Sequence, residues 1–470
     1  MPRKKRPQER HVPDIPQTAA LCDPGDSPWF NPTMMLYYFH DWSRASLTPF
    51  RLAAEATKAT FQNPFFPAAH TYFGRSIAAG AELFERTTRH YVKPEFGITT
   101  TRIFRETVRV DEETVMTRPF CRLLHFKRHI RNSDPRVLIV APLSGHHATL
   151  LRGTVEAMLP DHDVYVTDWV DAKMVPLSQG KFDLEDFISY VIDFIRLLGP
   201  DVHVLAVCQP APAVLCAVSL LAQMNDPAQP RSMTLMGGPI DTRVSKTIVT
   251  EMAQMYPLVW FEHAMVHSIP FYYPGAHRLV YPGFLQLQDF IWMNVERHVG
   301  EHIKLFQDLV KGDGESVAAH EKFYDEYLSI MDVPGEYYLQ TVERIFQKHD
   351  LALGKFTWNG LLVKPEMIGK TALLVIEGEL DDISAPGQTR AAIDMCSGLD
   401  DNMKKAHLQV GVGHYGLFNG HKWRENILPI LRGFIREHGR TKGSGAHTDD
   451  ALSSIVVNSF SSIPQTKTIQ

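Results

Sequence analysis

The stretch Val204-Leu205-Ala206-Val207-Cys208-Gln209-Pro210 connects two apolar segments of different character. Residues 202–207 form a short continuous apolar run, which is typical of a buried strand. Residues 211–224 continue as an apolar segment of helical length. A strand, a tight turn bearing a nucleophile and then a helix make up a nucleophile elbow, whose usual pattern is G-x-S-x-G. The stretch therefore predicts an elbow with Cys208 at its tip.

The residues around Cys208 depart from the usual elbow pattern in two places. Ala206 fills the first small position and Pro210 fills the second. Proline is tolerated in the first turn of a helix, where its missing N–H needs no partner. Gln209 keeps its backbone N–H, and the residue after the nucleophile supplies one oxyanion donor in such elbows. A thiol is chemically suited to the tip, because a nearby imidazole or helix N-terminus lowers its pKa.

An acid and a base follow later in the chain, in the order that this kind of site requires. Asp381 lies just after the apolar run 372–376, and His414 lies among glycines after a predicted strand over 407–412. We expect His414 to act as the base toward Cys208 and Asp381 to orient it. Asp382 and Asp241 are alternative acids, since each also follows a predicted strand.

A second oxyanion donor is expected where the apolar run 137–141 ends. The sequence there continues Pro142-Leu143-Ser144-Gly145-His146. The backbone N–H of Ser144 or of His146 could supply the donor, and the sequence does not choose between them.

The sequence predicts amphipathic helices between the apolar runs, among them one over 184–198, ended by Gly199-Pro200, and one over 385–397. Alternation of buried strands with amphipathic helices predicts a parallel sheet covered on both faces. We expect an α/β fold of the α/β-hydrolase type, with a mainly parallel central sheet and an inserted, mostly helical cap. The expected organisation is a disordered basic and polar N-terminus (1–28), an N-terminal helical segment (29–95), the first part of the core (96–242), the cap (243–368), the second part of the core (369–439) and a flexible tail (440–470). The predicted cap is rich in aromatic residues. We expect most of them to form the core of the cap and the remainder to line an apolar channel for a substrate. They are Trp260, Phe261, Phe271, Tyr272, Tyr273, Tyr281, Phe284, Phe290, Trp292, Tyr337 and Tyr338.

Composition excludes several classes of protein. A net charge of −5 over 470 residues argues against nucleic-acid binding. No run of 18 apolar residues is present, which argues against a transmembrane segment. The 5 cysteines are scattered without a CxxC pair, which favours a reducing, cytoplasmic compartment. Phosphate loops, dinucleotide fingerprints and HExxH spacing are missing from the sequence, so neither a bound cofactor nor a metal is expected.

Several stretches together resemble the intracellular polyhydroxyalkanoate depolymerases. These stretches are Ser144-Gly145-His146-His147-Ala148-Thr149-Leu150-Leu151-Arg152-Gly153-Thr154, Asp168-Trp169, Val207-Cys208-Gln209-Pro210, Met236-Gly237-Gly238-Pro239-Ile240-Asp241-Thr242-Arg243, Asp381-Asp382-Ile383 and Gly413-His414-Tyr415-Gly416. The resemblance extends from about residue 34 to about residue 439. Related polyester synthases usually carry glycine where Pro210 stands here, which favours the depolymerase.

The resemblance implies hydrolysis of stored poly(3-hydroxybutyrate), or a related polyester, at the surface of cytoplasmic storage granules. It also implies a triad of Cys208, Asp381 and His414, with coenzyme A as an alternative acyl acceptor to water. The polymer or granule surface is the expected partner, and the sequence leaves room for a homo-oligomer. The competing interpretations are a synthase-like acyltransferase, a general carboxylesterase and a granule-binding protein without activity.

Overall fold

A computed structural model of the protein describes residues 32–130 and 134–439, with side chains from residue 35 onward. The expected N-terminus over 1–28 and tail over 440–470 lie outside the described residues, as does Cys22. Across the two described ranges, none of the helices combines the length and apolarity needed to cross a membrane.

Fourteen strands are formed within these ranges, and nine of them make one sheet. In chain order the strands are β1 Thr100–Ile103, β2 Glu106–Arg118, β3 Cys121–Arg128, β4 Arg136–Val140, β5 Asp163–Trp169, β6 Val202–Val207, β7 Ser232–Met236, β8 His267–Ser268, β9 Leu279–Tyr281, β10 Val333–Pro334, β11 Thr357–Trp358, β12 Leu361–Leu362, β13 Ala372–Gly378 and β14 Lys404–Gln409.

The large sheet has the order β1-β2-β3-β5-β4-β6-β7-β13-β14. Its first four strands pair in antiparallel fashion, and every pairing from β5 to β14 is parallel. Strand β6 lies in the middle of the parallel part, and all of its residues are buried. Because the parallel strands end at one edge, the residues that follow β4, β6, β7, β13 and β14 lie near one another.

Fourteen helices are formed in the described ranges, and several of them cover the sheet. In chain order they are α1 Pro32–Gln62, α2 Tyr72–Thr88, α3 Arg152–Met158, α4 Leu184–Leu198, α5 Ala211–Gln223, α6 Ile248–Met255, α7 Leu258–Met265, α8 Gly283–Met293, α9 Val295–Lys311, α10 Gly314–Tyr327, α11 Gly335–Thr341, α12 Ala391–Met395, α13 Gly420–Lys422 and α14 Leu428–Glu437. Helices α6 to α11 fall between β7 and β13, together with the short strands β8 to β12.

Helix α4 illustrates how local sequence signals determine where a helix begins and ends. Asp183 caps its first turn by accepting hydrogen bonds from the N–H groups of Glu185 and Asp186, and Gly199 ends it with φ +79°. Its apolar side chains are buried and contact α5. Its observed bounds coincide with the predicted segment 184–198.

Two predicted elements are wrong in their bounds. A helix was expected over 385–397, but only Ala391–Met395 is helical. Gly387 has φ +98°, which interrupts a helix, and its N–H donates to the Glu377 carboxylate at 2.9 Å. The last strand was expected over 407–412, but β14 ends at Gln409 because the chain turns at Gly411, with φ +67°.

Candidate active site

Cys208 stands at the tip of a strained turn between β6 and α5. Its φ is +67°, a left-handed conformation that costs a non-glycine residue about 1–2 kcal/mol. The turn is held on both sides: the N–H of Cys208 donates to the Met236 carbonyl at 2.7 Å, and the Cys208 carbonyl accepts from Ala211 at 3.1 Å. Strain maintained by surrounding bonds is characteristic of functional turns. The half-buried thiol faces the cavity described below.

The missing side chain of Gly238 relieves the crowding at this turn, in addition to the small residues on either side of Cys208. A Cβ added at Gly238 would lie 2.2 Å from the Cβ of Ala211 and 2.7 Å from the Cys208 carbonyl oxygen. Its neighbour Gly237 has φ +57°, and a Cβ there would lie 2.8 Å from Leu417. The pair Gly237-Gly238 therefore lets β7 end close against the elbow. The sequence contained this signal as a double glycine after a strand, but its role was not predicted.

Asp381 and His414 are joined by a hydrogen bond of 2.8 Å between Oδ2 and Nδ1. The other carboxylate oxygen of Asp381 accepts from the N–H groups of Ile383 and Ser384, at 3.0 and 2.8 Å. The loops that carry the pair are tied together, since the Leu380 N–H donates to the Val412 carbonyl at 2.9 Å. With both oxygens bonded, the carboxylate is fixed in position and holds the imidazole in one orientation.

His414 is buried and lines the same cavity as Cys208. Burial alone would lower the pKa of His414. Its interactions with Cys208 and Asp381 outweigh burial and raise this pKa well above its usual value. The surroundings thus favour the protonated ring of His414.

The two alternative acids lie in other surroundings. Asp241 forms an ion pair with Arg243, with two hydrogen bonds of 2.8 Å, and this interaction lowers the pKa of Asp241. Asp382 is exposed and accepts a hydrogen bond from Asn294 at 3.2 Å. Of the three candidate acids, Asp381 is the one bonded to His414.

Gln209 links the elbow to two other parts of the site through its side chain. Its amide oxygen accepts from the Leu143 N–H at 3.3 Å, and its amide nitrogen donates to the hydroxyl of Tyr337. Tyr337 belongs to α11 and is fully buried. The elbow, the segment after β4 and the cap are thereby connected by one amide. These contacts join distant segments, so no local sequence pattern indicated them.

The predicted oxyanion donors lie on the two segments that Gln209 connects. Ser144, His146 and Gln209 all line the same cavity as Cys208. Among the described residues, the Gln209 N–H has no acceptor. The chain at His146 is held by the cap, since the Gly145 carbonyl accepts from Met331 at 2.7 Å and the His146 ring contacts the Tyr327 carbonyl at 3.1 Å. Burial lowers the pKa of His146 to about 4, which favours a neutral ring.

Asp168 and Trp169 support this region without reaching the site. The Trp169 indole N–H donates to the Ala141 carbonyl at 2.8 Å, where the chain leaves β4. Asp168 is fully buried and pairs with Lys93 and Arg122. Trp169 therefore anchors the segment from which Ser144 extends, whereas Asp168 ties β5 to β3 and to Lys93.

A cavity of about 500 Å³ opens in front of the Cys208 thiol. Its wall is mostly apolar, and the cap contributes many of the side chains, including Phe261, Phe290, Trp292, Tyr338, Val342 and Phe346. Tyr281 and Tyr337 also line it. Other cap aromatics lie elsewhere: Tyr272 and Tyr273 bond to Asp41 of α1, and Phe284 stacks on His40. The cavity suits an apolar chain whose carbonyl reaches Cys208.

A second cavity, of about 840 Å³, also borders His414 and has walls of mixed polar and apolar character. Arg297, Glu301 and Lys304 from α9 line it, and so does Lys422. His414 thus borders a mostly apolar cavity and one that carries charged side chains. Within the described ranges, no group of three or more His, Cys, Asp or Glu side chains is arranged to hold a metal ion.

The other described cysteines have core positions. Cys121, Cys216 and Cys396 are buried, and burial raises the pKa of each thiol. Burial of this kind disfavours the thiolate and makes a cysteine inert. Among the four described cysteines, Cys208 is the one that lines the cavity.

The sheet order, the left-handed elbow after a central parallel strand and the order of the three side chains define an α/β-hydrolase. Residues 237–439 match the family model described as PHB de-polymerase C-terminus. The recognition of the depolymerase family from the sequence is therefore confirmed.

A curated relative gives a distant match. The chain is 25% identical over 148 residues to Poly(3-hydroxyalkanoate) polymerase subunit PhaC from Haloferax mediterranei. The match covers 31% of this chain and 28% of that relative, so the chain spans less than a third of its length.

Solved structures with a similar arrangement include two lipases. A monoacylglycerol lipase from Paleococcus ferrophilus is 14% identical, with a TM-score of 0.40, covering 66% of this chain and 97% of its own. A soluble variant of monoglyceride lipase from Saccharomyces cerevisiae is 10% identical, with a TM-score of 0.42, covering 72% of this chain and 98% of its own. The sheet order of the chain and its match to the PHB de-polymerase C-terminus model make the protein a PHB-depolymerase-like α/β-hydrolase.

Proposed function

We propose that the protein hydrolyses ester bonds of stored poly(3-hydroxybutyrate), or a related polyhydroxyalkanoate, through a Cys208–His414–Asp381 triad. The observation that carries the proposal is the position of Cys208 and of His414, which is hydrogen-bonded to Asp381, at the wall of one apolar cavity. The family domain over residues 237–439 supports a polyester as substrate. We further propose that the enzyme acts on storage granules in the cytoplasm.

In the first half of the reaction, the Cys208 sulfur attacks the ester carbonyl carbon while His414 holds the thiol proton. The carbonyl electron pair moves to oxygen, and the Gln209 N–H stabilises the resulting oxyanion with a donor from Ser144 or His146. Ser144 directly follows Leu143, whose N–H donates a hydrogen bond to the side chain of Gln209. The tetrahedral intermediate collapses, the carbon–oxygen bond breaks, and His414 gives its proton to the leaving alcohol end. A thioester remains on Cys208.

In the second half, water enters and His414 takes one of its protons as the oxygen attacks the thioester. Collapse of this intermediate expels the Cys208 thiolate and releases a hydroxyacid. The second cavity beside His414, with its charged side chains from α9, offers a path for water that is separate from the mostly apolar cavity. Coenzyme A in place of water would give the coenzyme A ester of the hydroxyacid instead.

The test is incubation with native amorphous polymer granules, following hydroxyacid release with and without coenzyme A. Cys208→Ala should abolish release, since no other described cysteine lines the cavity. Cys396→Ala, which alters a buried thiol in the core, is the matched control and should retain activity. Release at the normal rate by Cys208→Ala would refute the thiol mechanism. Appearance of the coenzyme A ester would assign thiolysis.

A synthase-like acyltransferase is a second candidate, favoured by the match to the polymerase subunit. It would use the same thioester but run toward polymer. Supplying 3-hydroxybutyryl-coenzyme A and measuring polymer distinguishes the two. A general carboxylesterase would prefer short soluble esters to granules, and a granule-binding protein without activity would release no hydroxyacid.

A further inference from the structure

We propose that two rows of exposed apolar side chains beside the mouth of the catalytic cavity form the face that adsorbs on solid polyester. This inference rests on the proposed function and adds to it the surface through which the enzyme reaches an insoluble substrate. The occupant is the polymer surface itself, whose repeating ester units are apolar and carry no charge.

The first row runs along α6 into α7. Its members are spaced by four, three and four residues, which places the three on α6 along one side of that helix. All are exposed, from 37% to 68%. The first row consists of Ile248, Met252, Met255 and Val259.

The second row runs from the end of α8 along α9. Its members are spaced by three, four and four residues, so the three on α9 share one side of that helix. Their exposure ranges from 42% to 76%, the highest value being that of Trp292. The second row consists of Trp292, Val295, Val299 and Ile303.

Both rows begin at the cavity. Ile248 and Met252 of the first row line the same cavity as Cys208, and so does Trp292 of the second row. Because these three side chains are also exposed to solvent, they lie at the cavity mouth. The remaining members continue away from the mouth along the helices. Single exposed apolar side chains are ordinary on protein surfaces, but two aligned rows that meet at a substrate cavity are not.

The position of the rows favours the polymer over a protein partner. Whatever covers both rows also covers the mouth between them. A second copy of this chain or another protein would close the mouth and separate Cys208 from substrate. A polyester surface is the one occupant that supplies substrate to the mouth while covering the rows. Burial of apolar area against the polymer would provide the driving force.

The test compares three sets of four glutamate substitutions. The first set changes the outer members of the two rows: Met255→Glu, Val259→Glu, Val299→Glu and Ile303→Glu. None of these residues lines the cavity. The control set makes the same change of charge at exposed sites elsewhere: Val92→Glu, Phe104→Glu, Leu353→Glu and Leu361→Glu. A third set changes exposed aromatics of the α1–α2 region, a competing apolar surface: Phe39→Glu, Trp42→Glu, Phe65→Glu and Phe73→Glu.

Two quantities are measured for each set: co-sedimentation with amorphous poly(3-hydroxybutyrate) particles, and hydrolysis of a soluble butyrate ester. We expect the row set to lose at least tenfold in particle binding and polymer degradation, with soluble-ester hydrolysis within twofold of wild type. The control set should match wild type in both. Unchanged particle binding by the row set, or loss confined to the α1–α2 set, would overturn the inference. So would an equal loss of soluble-ester activity, since the substitutions would then have damaged the site.

Light scattering of each set tests the remaining alternative, that a second copy of this chain covers the rows. If the row set converts a wild-type oligomer into a monomer, the rows are an interface between copies and the inference is wrong. Failure of the proposed function has a different signature, because wild type itself would then release no hydroxyacid from polymer.

Discussion

Replacing Gly237 by alanine tests how tightly the end of β7 is packed against the hydrogen-bonded pair of Asp381 and His414. Two costs arise from the structure. The φ of +57° is unfavourable for alanine, by about 1–2 kcal/mol. The new Cβ would also lie 2.8 Å from Leu417 Cδ1 and 3.3 Å from Asp381 Oδ2. Overpacking of this kind costs about 1–3 kcal/mol. The free energy of unfolding should therefore fall by about 2–5 kcal/mol.

The fall in kcat of the Gly237→Ala variant should exceed what its loss of stability alone would cause. Leu417 is fully buried and belongs to the same short turn as His414, so its displacement moves the imidazole. A misplacement of about 1 Å at a reacting group can lower a rate 100-fold. We expect kcat for a soluble ester to fall roughly 10- to 100-fold with little change in KM.

Gly312→Ala is the matched control. Gly312 also has a left-handed φ of +80°, but a Cβ there meets no atom within 4 Å. It should lose about 1–2 kcal/mol of stability and keep its kcat. With about 2.1 cal/mol/K of unfolding entropy per residue, each kcal/mol corresponds to roughly 1 °C in Tm for a chain of this size. A Gly237→Ala enzyme with wild-type kcat would refute the argument that the end of β7 and the pair of Asp381 and His414 are in close contact.

Three further changes test other parts of the site. Tyr337→Phe removes the hydroxyl that accepts a hydrogen bond from the Gln209 side-chain amide. We expect a loss of about 1–3 kcal/mol in unfolding free energy and a several-fold lower kcat at unchanged KM. Wild-type stability and wild-type kcat would show that this hydrogen bond is dispensable. Asp381→Asn should lower kcat on the order of 10³–10⁴-fold, because the amide can hold the wrong tautomer of His414, and equal activity of Asp382→Asn and Asp381→Asn would contradict the assignment. The raised pKa of His414 stabilises the folded state fully below about pH 6.5, and this contribution is lost as pH rises through the folded pKa. The stability advantage of wild type over His414→Gln should therefore shrink from about pH 6.5 upward in denaturant unfolding, and a pH-independent difference would be inconsistent with a raised pKa of His414.

The parts of the fold that the sequence predicted are those determined by local signals. Helix α4 was located correctly because its apolar spacing is regular and Gly199-Pro200 marks its end. The elbow was predicted because an apolar strand stops at Cys208 and a helix follows. The helix predicted over 385–397 failed where tertiary contacts override composition, although Pro386-Gly387 was a local signal against it.

Contacts between distant segments account for most of what the sequence did not predict. The link from Tyr337 through Gln209 to Leu143 joins three elements far apart in the chain. The aromatics of the cap show the same limit: composition marked them as a group, but could not show that Tyr338 lines the cavity while Tyr272 contacts α1. Which side of a helix faces the site depends on its packing contacts. Those contacts come from residues distant in the sequence, so no local pattern indicates them.

The surroundings of His414 explain why a thiol is a suitable nucleophile in this site. The ring is buried beside a largely apolar cavity, where an isolated charge would be costly. A serine would have to lose its proton during attack, because its hydroxyl does not ionise near neutral pH. A thiol gives up its proton to an imidazole far more readily. In the proposed mechanism Asp381 completes the arrangement, because its hydrogen bond to the other ring nitrogen orients His414 and favours the protonated ring, which can then give its proton to the leaving alcohol.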